Sequence, residues 1–259
     1  MKKQKYHIVG VMSGTSLDGI DLAEIVFTYS EAQWKFEIIT AETVPYSSFW
    51  KDELRDAINY SEEKLERLDF KYTERLSEEI SKFIRKNNVQ EIDAVCSHGH
   101  TILHQPERGF TYQIGNLPRI SKMLGQTVVC DFRVQDVELG GQGAPLVPIG
   151  DKLLFSEYDY CLNLGGFANC SFEKNGEQIA YDICPVNIVL NHYTEKLGQD
   201  FDDGGKLAAS GKVNEELLQK LNTLSFYAEK PPKSLGLEWV KEHIFPLLDT
   251  YNNSSEDVL

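Results

Sequence analysis

Val9-Gly10-Val11-Met12-Ser13-Gly14-Thr15-Ser16-Leu17-Asp18-Gly19-Ile20-Asp21 joins two apolar runs, Tyr6 to Val11 before it and Leu22 to Phe27 after it. Two strands around a tight polar turn make a hairpin whose tip can wrap an anion. Glycine permits positive φ and close backbone approach. Bare N–H groups and Ser/Thr hydroxyls supply donors to phosphate oxygens. Carboxylates beside such a turn, here Asp18 and Asp21, ask for a cation, and Mg²⁺ carried by a nucleotide is the obvious one. A plain hairpin turn is the simpler alternative. The density of Ser13-Gly14-Thr15-Ser16 followed by Asp18, Gly19 and Asp21 favours phosphate binding.

The remaining composition narrows the classes. The chain has 259 residues, 41% of them hydrophobic, enough for one large domain or two ordinary ones. A net charge of −14 repels nucleic acid and anionic membranes, so neither is expected as a partner. An anionic substrate would have to be held by local groups. Met1-Lys2-Lys3-Gln4-Lys5 is basic, but the apolar run after it is too short for a secretory signal. The five cysteines, Cys96, Cys130, Cys161, Cys170 and Cys184, are odd in number, widely spaced and without a C-x-x-C pair. Free thiols in a reducing cytoplasm follow.

Lys35 to Val44 reads as a third strand, so three antiparallel strands open the chain. Trp50 to Tyr60 has helical spacing, and Ser61 is placed to cap a second helix running to about Lys86, with a break near Phe70. Ile92 to Ser97 is a short buried strand leading into the polar segment His98-Gly99-His100-Thr101-Ile102-Leu103-His104. The carboxyl end of such a strand is where open α/β sheets place ligands. Phe110 to Gly115 is a strand, Pro118 to Leu124 a helix closed by Gly125, and Thr127 to Arg133 a strand with charge at its exit. Gly140 to Pro148 is the candidate hinge between domains.

Beyond it the opening pattern returns. Tyr158 to Leu164 is a strand, Gly165-Gly166-Phe167-Ala168-Asn169 a small-residue turn, and Cys170 to Glu173 a return strand. Asn175-Gly176 is a hairpin turn and Gln178 to Ile183 a third strand. Pro185 to Leu197 and Val213 to Leu224 are helical, with a Gly- and Asp-rich loop between them. Trp239 to Leu248 is a last short helix, and Ser254 or Ser255 caps a helix that has barely started. This weak duplication gives an α/β fold with two domains, 1–139 and 140–259, each opening on a Gly-rich hairpin. Two such domains facing a cleft, and holding a nucleotide between their hairpins, have the RNase H-like architecture of the sugar kinase, Hsp70 and actin type.

The sequence resembles the anhydro-N-acetylmuramic acid kinases of bacterial cell-wall recycling. Gly10 to Asp21, Ser97 to Thr101, Gln113-Ile114-Gly115, Asp131-Phe132-Arg133, Gly140 to Pro148, Leu162 to Asn169 and Lys233-Ser234-Leu235-Gly236 carry the likeness, in matching order. The resemblance implies a cytoplasmic, homodimeric enzyme that takes ATP with Mg²⁺. It would open 1,6-anhydro-N-acetylmuramic acid with water and phosphorylate O6, giving N-acetylmuramic acid 6-phosphate. It places the ATP phosphates on Gly14, Thr15, Ser16, Leu17, Asp18, Gly19, Ile20 and Asp21, with Gly165, Gly166 and Asn169 as the second grip. Asp18 and Asp21 would serve the metal. Asp182 would be the general base, and His98, Gly99, Thr101 and Arg133 would line the sugar, Arg133 meeting its lactyl carboxylate.

Departures from the family pattern accompany the likeness. The family's Asp-Thr-Gly-Pro-Gly-Asn stands here as Asp182-Ile183-Cys184-Pro185-Val186-Asn187, and His100 replaces a common Gln. Met12 stands where the wider superfamily often has an Asp. The resemblance also implies further chain after Leu259, completing the second domain. A non-catalytic nucleotide- or sugar-binding remnant is therefore the alternative. A zinc site on His98, His100 and His104 lacks a fourth ligand of matching spacing.

Overall fold

A computed structural model describes residues 3–14, 17–105, 108–140, 143, 146–251 and 253–259. It is a mixed α/β structure with two compact units, 1–154 and 155–259. No helix among the described residues is long and apolar enough to cross a membrane.

In the first unit, β1 (Lys5–Ser13), β2 (Gly19–Ser30) and β3 (Gln33–Pro45) form the expected antiparallel meander. Glu31 and Ala32 close the β2–β3 hairpin with φ of 53° and 62°. Two positive φ values match the twist of the strands they join, even without glycine. Next come α1 (Ser48–Asp56) and α2 (Glu62–Lys86). Ser61 caps α2 by accepting from the Lys64 N–H, as its position in the sequence suggested. The helix is continuous, without the expected break at Phe70, because Leu65, Leu68, Tyr72, Leu76, Ile80 and Phe83 hold one face along its length. That face packs on Val9, Val11, Ile20 and Leu22 of the sheet. Each such side chain fully buried contributes on the order of 1.5–3 kcal/mol.

β4 (Ala94–Gln105) lies parallel to β1, with β5 (Phe110–Ile114) antiparallel beside its far end and the two-residue β6 (Val128–Val129) parallel beside its near end. The sheet order is β3-β2-β1-β4-β5. Two expectations change here. The polar segment after Ser97 is strand, since β4 continues to Gln105. The stretch to Arg133 is mostly not strand: after α3 (Arg119–Leu124) and β6, Asp131 takes a left-handed φ of 59° and starts α4 (Phe132–Glu138). Arg133 therefore sits in the first turn of a helix. Past Gly140 the chain leads into α5 (Leu146–Leu154). Gly141, Gln142, Ala144 and Pro145 lie outside the described residues.

The second unit opens on the antiparallel sheet β7 (Cys161–Leu164), β8 (Phe167–Lys174) and β9 (Glu177–Pro185). Asn175-Gly176 makes the turn its residues announce, with φ of 56° and 82°. α6 (Asn187–Lys196), α7 (Lys206–Ser210) and α8 (Glu215–Asn222) follow. Residues 237–250 form one helical run with a π-turn at Val240–Ile244. Val189, Tyr193, Leu217, Val240, Ile244 and Leu248 make the core. Ser254 caps Ser255–Val258 through a reciprocal capping box with Asp257. All five cysteines are free.

Candidate functional site

The β1–β2 turn starts at Ser13 and ends at Gly19. Gly14 accepts from the Leu17 N–H at 3.2 Å, and Leu17 has φ of 60°. Thr15 and Ser16 lie outside the described residues. Gly19 has a packing role: a Cβ there would stand 2.4 Å from the Val44 carbonyl oxygen and 2.9 Å from Thr43 Cγ2. The Ile20 side chain is fully buried in the core. Asp18 and Asp21 are exposed beside the turn, and Asp21 Oδ1 accepts from the Thr43 hydroxyl at 2.5 Å. Among the described residues no three His, Cys, Asp or Glu side chains gather as a ready metal cage. The Asp18 and Asp21 carboxylates are hard oxygen donors, the type Mg²⁺ takes.

A bulge in β4 arranges the next group. Val11 pairs with Ser97 but Ser13 pairs with His100, so β4 carries one extra residue, taken up at His98-Gly99. Gly99 has φ of 70°, and a Cβ on it would strike the Ile114 carbonyl oxygen at 2.6 Å. The bulge resets the alternation, so Ser97 and His100, three apart, are both buried. His98 is left on the other face, half-buried beside Arg133. His98 and His100 therefore do not converge from one strand face as a shared metal site would require.

Arg133 Nε donates to His98 Nε2 at 2.9 Å. Guanidinium only donates, so Nε2 is bare and the His98 proton sits on Nδ1, which donates to the Gly99 carbonyl at 3.0 Å. Burial, with Arg133 adding, holds the His98 pKa below its ordinary value. Asn116 ties the corner together. It accepts from the Ser97 hydroxyl at 3.0 Å and donates to the His98 carbonyl and the Asp131 carboxylate, both at 3.3 Å. Buried Asp69 of α2 accepts from the Gly115 N–H at 2.7 Å and the Tyr112 hydroxyl at 3.2 Å, holding the adjacent turn. Thr101 pairs with Gln113 across β4–β5. The sequence reading missed Asn116 and Asp69. The polar residue directly after Gln113-Ile114-Gly115 was the only local sign of the first, and the second is one more acid in an acidic helix.

In the second unit, Asp182 pairs with Asn169 across β8–β9, next to a register shift at Ala168/Asn169. Its N–H donates to the Lys233 carbonyl at 3.0 Å, and its Oδ2 accepts from the Leu235 N–H at 2.7 Å. The Lys233-Ser234-Leu235-Gly236 motif is thus laid along β9 and fixes the carboxylate. Lys233 Nζ is held by the Phe226 carbonyl at 2.8 Å. Burial raises the Asp182 pKa above the usual carboxylate value, and the Leu235 bond offsets only part of that.

Gly165 and Gly166 turn from β7 into β8. Their carbonyls take the N–H groups of Val186, Asn187 and Ile188 at 2.9–3.3 Å, so the start of α6 is already capped. A Cβ on either glycine would make only ordinary contacts, the nearest at 3.6 Å. Neither shows the positive φ that favours glycine. Packing and backbone conformation within the unit therefore do not call for glycine at these two positions.

Residues 6–258 match the sequence model of a family described as anhydro-N-acetylmuramic acid kinase. Curated proteins of that name are similar throughout. The one from Pseudomonas syringae pv. syringae (strain B728a) is 34% identical over 255 residues, covering 93% of this chain and 69% of its own length. The one from Francisella tularensis subsp. novicida (strain U112) is 36% identical over 256 residues, covering 92% and 67%. The one from Sulfurimonas denitrificans is 34% identical over 263 residues, covering 95% and 70%.

Proposed function

The chain belongs to the anhydro-N-acetylmuramic acid kinase family, and from that footing we propose that it opens 1,6-anhydro-N-acetylmuramic acid with water and transfers the γ-phosphoryl of ATP to O6. The observation that carries the reading is the seating of Asp182. One carboxylate oxygen is fixed by the Leu235 N–H, and burial raises its affinity for a proton. Such a group suits a general base. Oδ1 would take a proton from water as its oxygen bonds to the anomeric carbon. The bond from that carbon to O6 breaks, and O6 then attacks the γ-phosphorus as ADP leaves. The proton on Asp182 passes to solvent and the base is restored.

Charge spread over the transferring phosphoryl has to be met by positioned donors. Gly14 to Asp21 would supply N–H and hydroxyl donors from the first unit. Gly165, Gly166 and Asn169 would supply the second grip, where the absence of a packing reason for glycine fits close approach by a phosphate. Asp18 and Asp21 would hold Mg²⁺ through water, and the ion would supply charge neutralisation between the phosphate oxygens. On the sugar, Arg133 is anchored through Nε, so its paired Nη groups are the part that would meet the lactyl carboxylate.

The test is ATP consumption with the purified chain: turnover is expected only when 1,6-anhydro-N-acetylmuramic acid is present, with N-acetylmuramic acid 6-phosphate as product. ATP use that ignores the sugar would overturn the reading. A pH profile examines the Arg133 anchor. Neutral His98 accepts from Arg133, whereas protonated His98 turns an N–H toward it. The anchor is intact above the His98 pKa and is lost as pH falls through it, below the ordinary histidine value of about 6.5. The sugar KM should rise there while the ATP KM holds. His98→Gln, which keeps an acceptor that does not titrate, should flatten the rise.

A further inference from the structure

His98 sits at the β4 bulge and Arg133 in the first turn of α4, so their bond depends on how these two elements are held against each other. One side chain touches both. Asn116, 6% exposed in the turn after β5, donates from Nδ2 to the His98 carbonyl and to Asp131 Oδ1, each at 3.3 Å. Its Oδ1 accepts from the buried Ser97 hydroxyl at 3.0 Å. A carbonyl and a carboxylate only accept, so the amide has a single orientation here. Both of its N–H bonds serve as a brace, one end on β4 and the other on the residue that starts α4.

Each end of the brace meets unusual backbone. On the β4 side, a Cβ on Gly99 would stand 2.8 Å from Asn116 Nδ2, so the amide fills the hollow that the bulge leaves. On the α4 side, Asp131 holds a left-handed φ of 59° and makes no side-chain cap to its own helix. A non-glycine residue in that region is strained and persists where its surroundings over-determine it. The Asp131 carboxylate is held instead by Asn116 and, at its other oxygen, by Cys130 Sγ at 3.5 Å. Asn116 is fixed from behind as well. The Gly115 N–H donates to Asp69 Oδ1 at 2.7 Å, and a Cβ on Gly115 would strike Leu76 Cδ1 at 2.5 Å. Asp69 and Leu76 belong to the buried face of α2, so the brace is mounted on the core rather than on either element it joins.

We propose that Asn116 is a positioning residue for sugar recognition, acting through the His98–Arg133 pair by holding the start of α4 at a set distance from the β4 bulge. The proposal rests on the sugar reading of His98 and Arg133 given above. Arginine meets a carboxylate through two parallel N–H bonds only when the plane of its guanidinium is fixed. Without the brace Arg133 keeps its charge and loses its aim.

Two variants of the full chain test this. Asn116→Leu keeps the branched shape and removes all three bonds. Ser97→Ala removes only the bond at Oδ1 and leaves the brace. Imidazole ¹⁵N NMR at neutral pH reports the pair without any turnover. The wild type and Ser97→Ala should show His98 with a bare Nε2, and Asn116→Leu should show a mixture of tautomers. The sugar KM should rise on the order of 10- to 100-fold in Asn116→Leu and stay within a few-fold in Ser97→Ala, with the ATP KM unchanged in both. Both variants lose a buried hydrogen bond and should lose stability. Equal movement of the His98 signals and of the sugar KM in the two would mark a merely structural residue and overturn the proposal. So would an Asn116→Leu chain that keeps both at the wild-type values. Should that variant fail to fold, the wild type decides: the Asn116 side-chain N–H protons are expected to exchange slowly with solvent, and rapid exchange of both would overturn the brace. A wild-type chain with the expected His98 signals and no sugar-dependent turnover would defeat the sugar reading and leave the brace standing.

Discussion

Asp182→Asn is expected to cut turnover by roughly 10²- to 10⁴-fold, the range a general base contributes, while leaving nucleotide and sugar binding in place. The amide is nearly the same shape, and its oxygen can still accept from the Leu235 N–H that holds Oδ2. Its backbone N–H still donates to Lys233. What goes is the ability to take a proton from water. Single-turnover kinetics, with calorimetric binding of ATP and of the anhydro-sugar, separates the outcomes. Full turnover in the variant would end the assignment of the base. Loss of binding together with turnover would mean that Asp182 holds the Lys233–Gly236 loop rather than a proton. The wild-type profile carries its own check. The Asp182 pKa is raised, and the base works only when ionised, so kcat should fall as pH drops through that raised value.

The second large effect is on folding. Gly19→Ala should destabilise the protein by about 1–3 kcal/mol or more, the usual cost of forcing atoms into a filled site. The new methyl would sit 2.4 Å from the Val44 carbonyl oxygen, which belongs to a paired strand and cannot swing aside as a side chain can. Relief would require β2 and β3 to part near Pro45. That movement would also disturb the Tyr46 N–H bond to the Asp18 carbonyl and the Tyr46 hydroxyl below the turn. Gly10→Ala is the control in the same sheet. Its nearest contact would be Ile25 Cδ1 at 3.6 Å, an ordinary distance, so its cost should stay well below that of Gly19→Ala. Denaturant midpoints measure both. Equal losses would remove the packing account of Gly19 and return it to the phosphate turn alone.

These two residues also show what kind of information a motif carries. Gly19 and Gly165 look alike in the sequence, each in a Gly-rich first turn. In the structure Gly19 is demanded by a neighbouring backbone, while Gly165 has room for a Cβ and ordinary φ. Nothing local distinguishes them, because the atom that excludes a Cβ at Gly19 belongs to Val44, 25 positions along the chain. His98 and His100 differ for a related reason. Simple alternation puts both on one strand face. The extra residue at His98-Gly99 sends one toward Arg133 and the other into the core.

Local pattern along the chain was enough for the meander of β1 to β3, the cap at Ser61, a last cap at Ser254 or Ser255, the Asn175-Gly176 turn, the free cysteines and the family. Each depends on neighbours in the chain: strand alternation, a side chain three residues from its N–H, a glycine at a turn, a run of motifs in order. The tertiary structure alone decided that Arg133 opens a helix and donates to His98, that Asp69 holds Gly115, and that Leu235 fixes Asp182. It also brought Ser13, Tyr46, Tyr72 and His100 into one buried hydrogen-bonded cluster. Those contacts join residues 26 to 87 positions apart. They depend on register, on one bulge and on which face of α2 meets the sheet, and a linear pattern carries none of these.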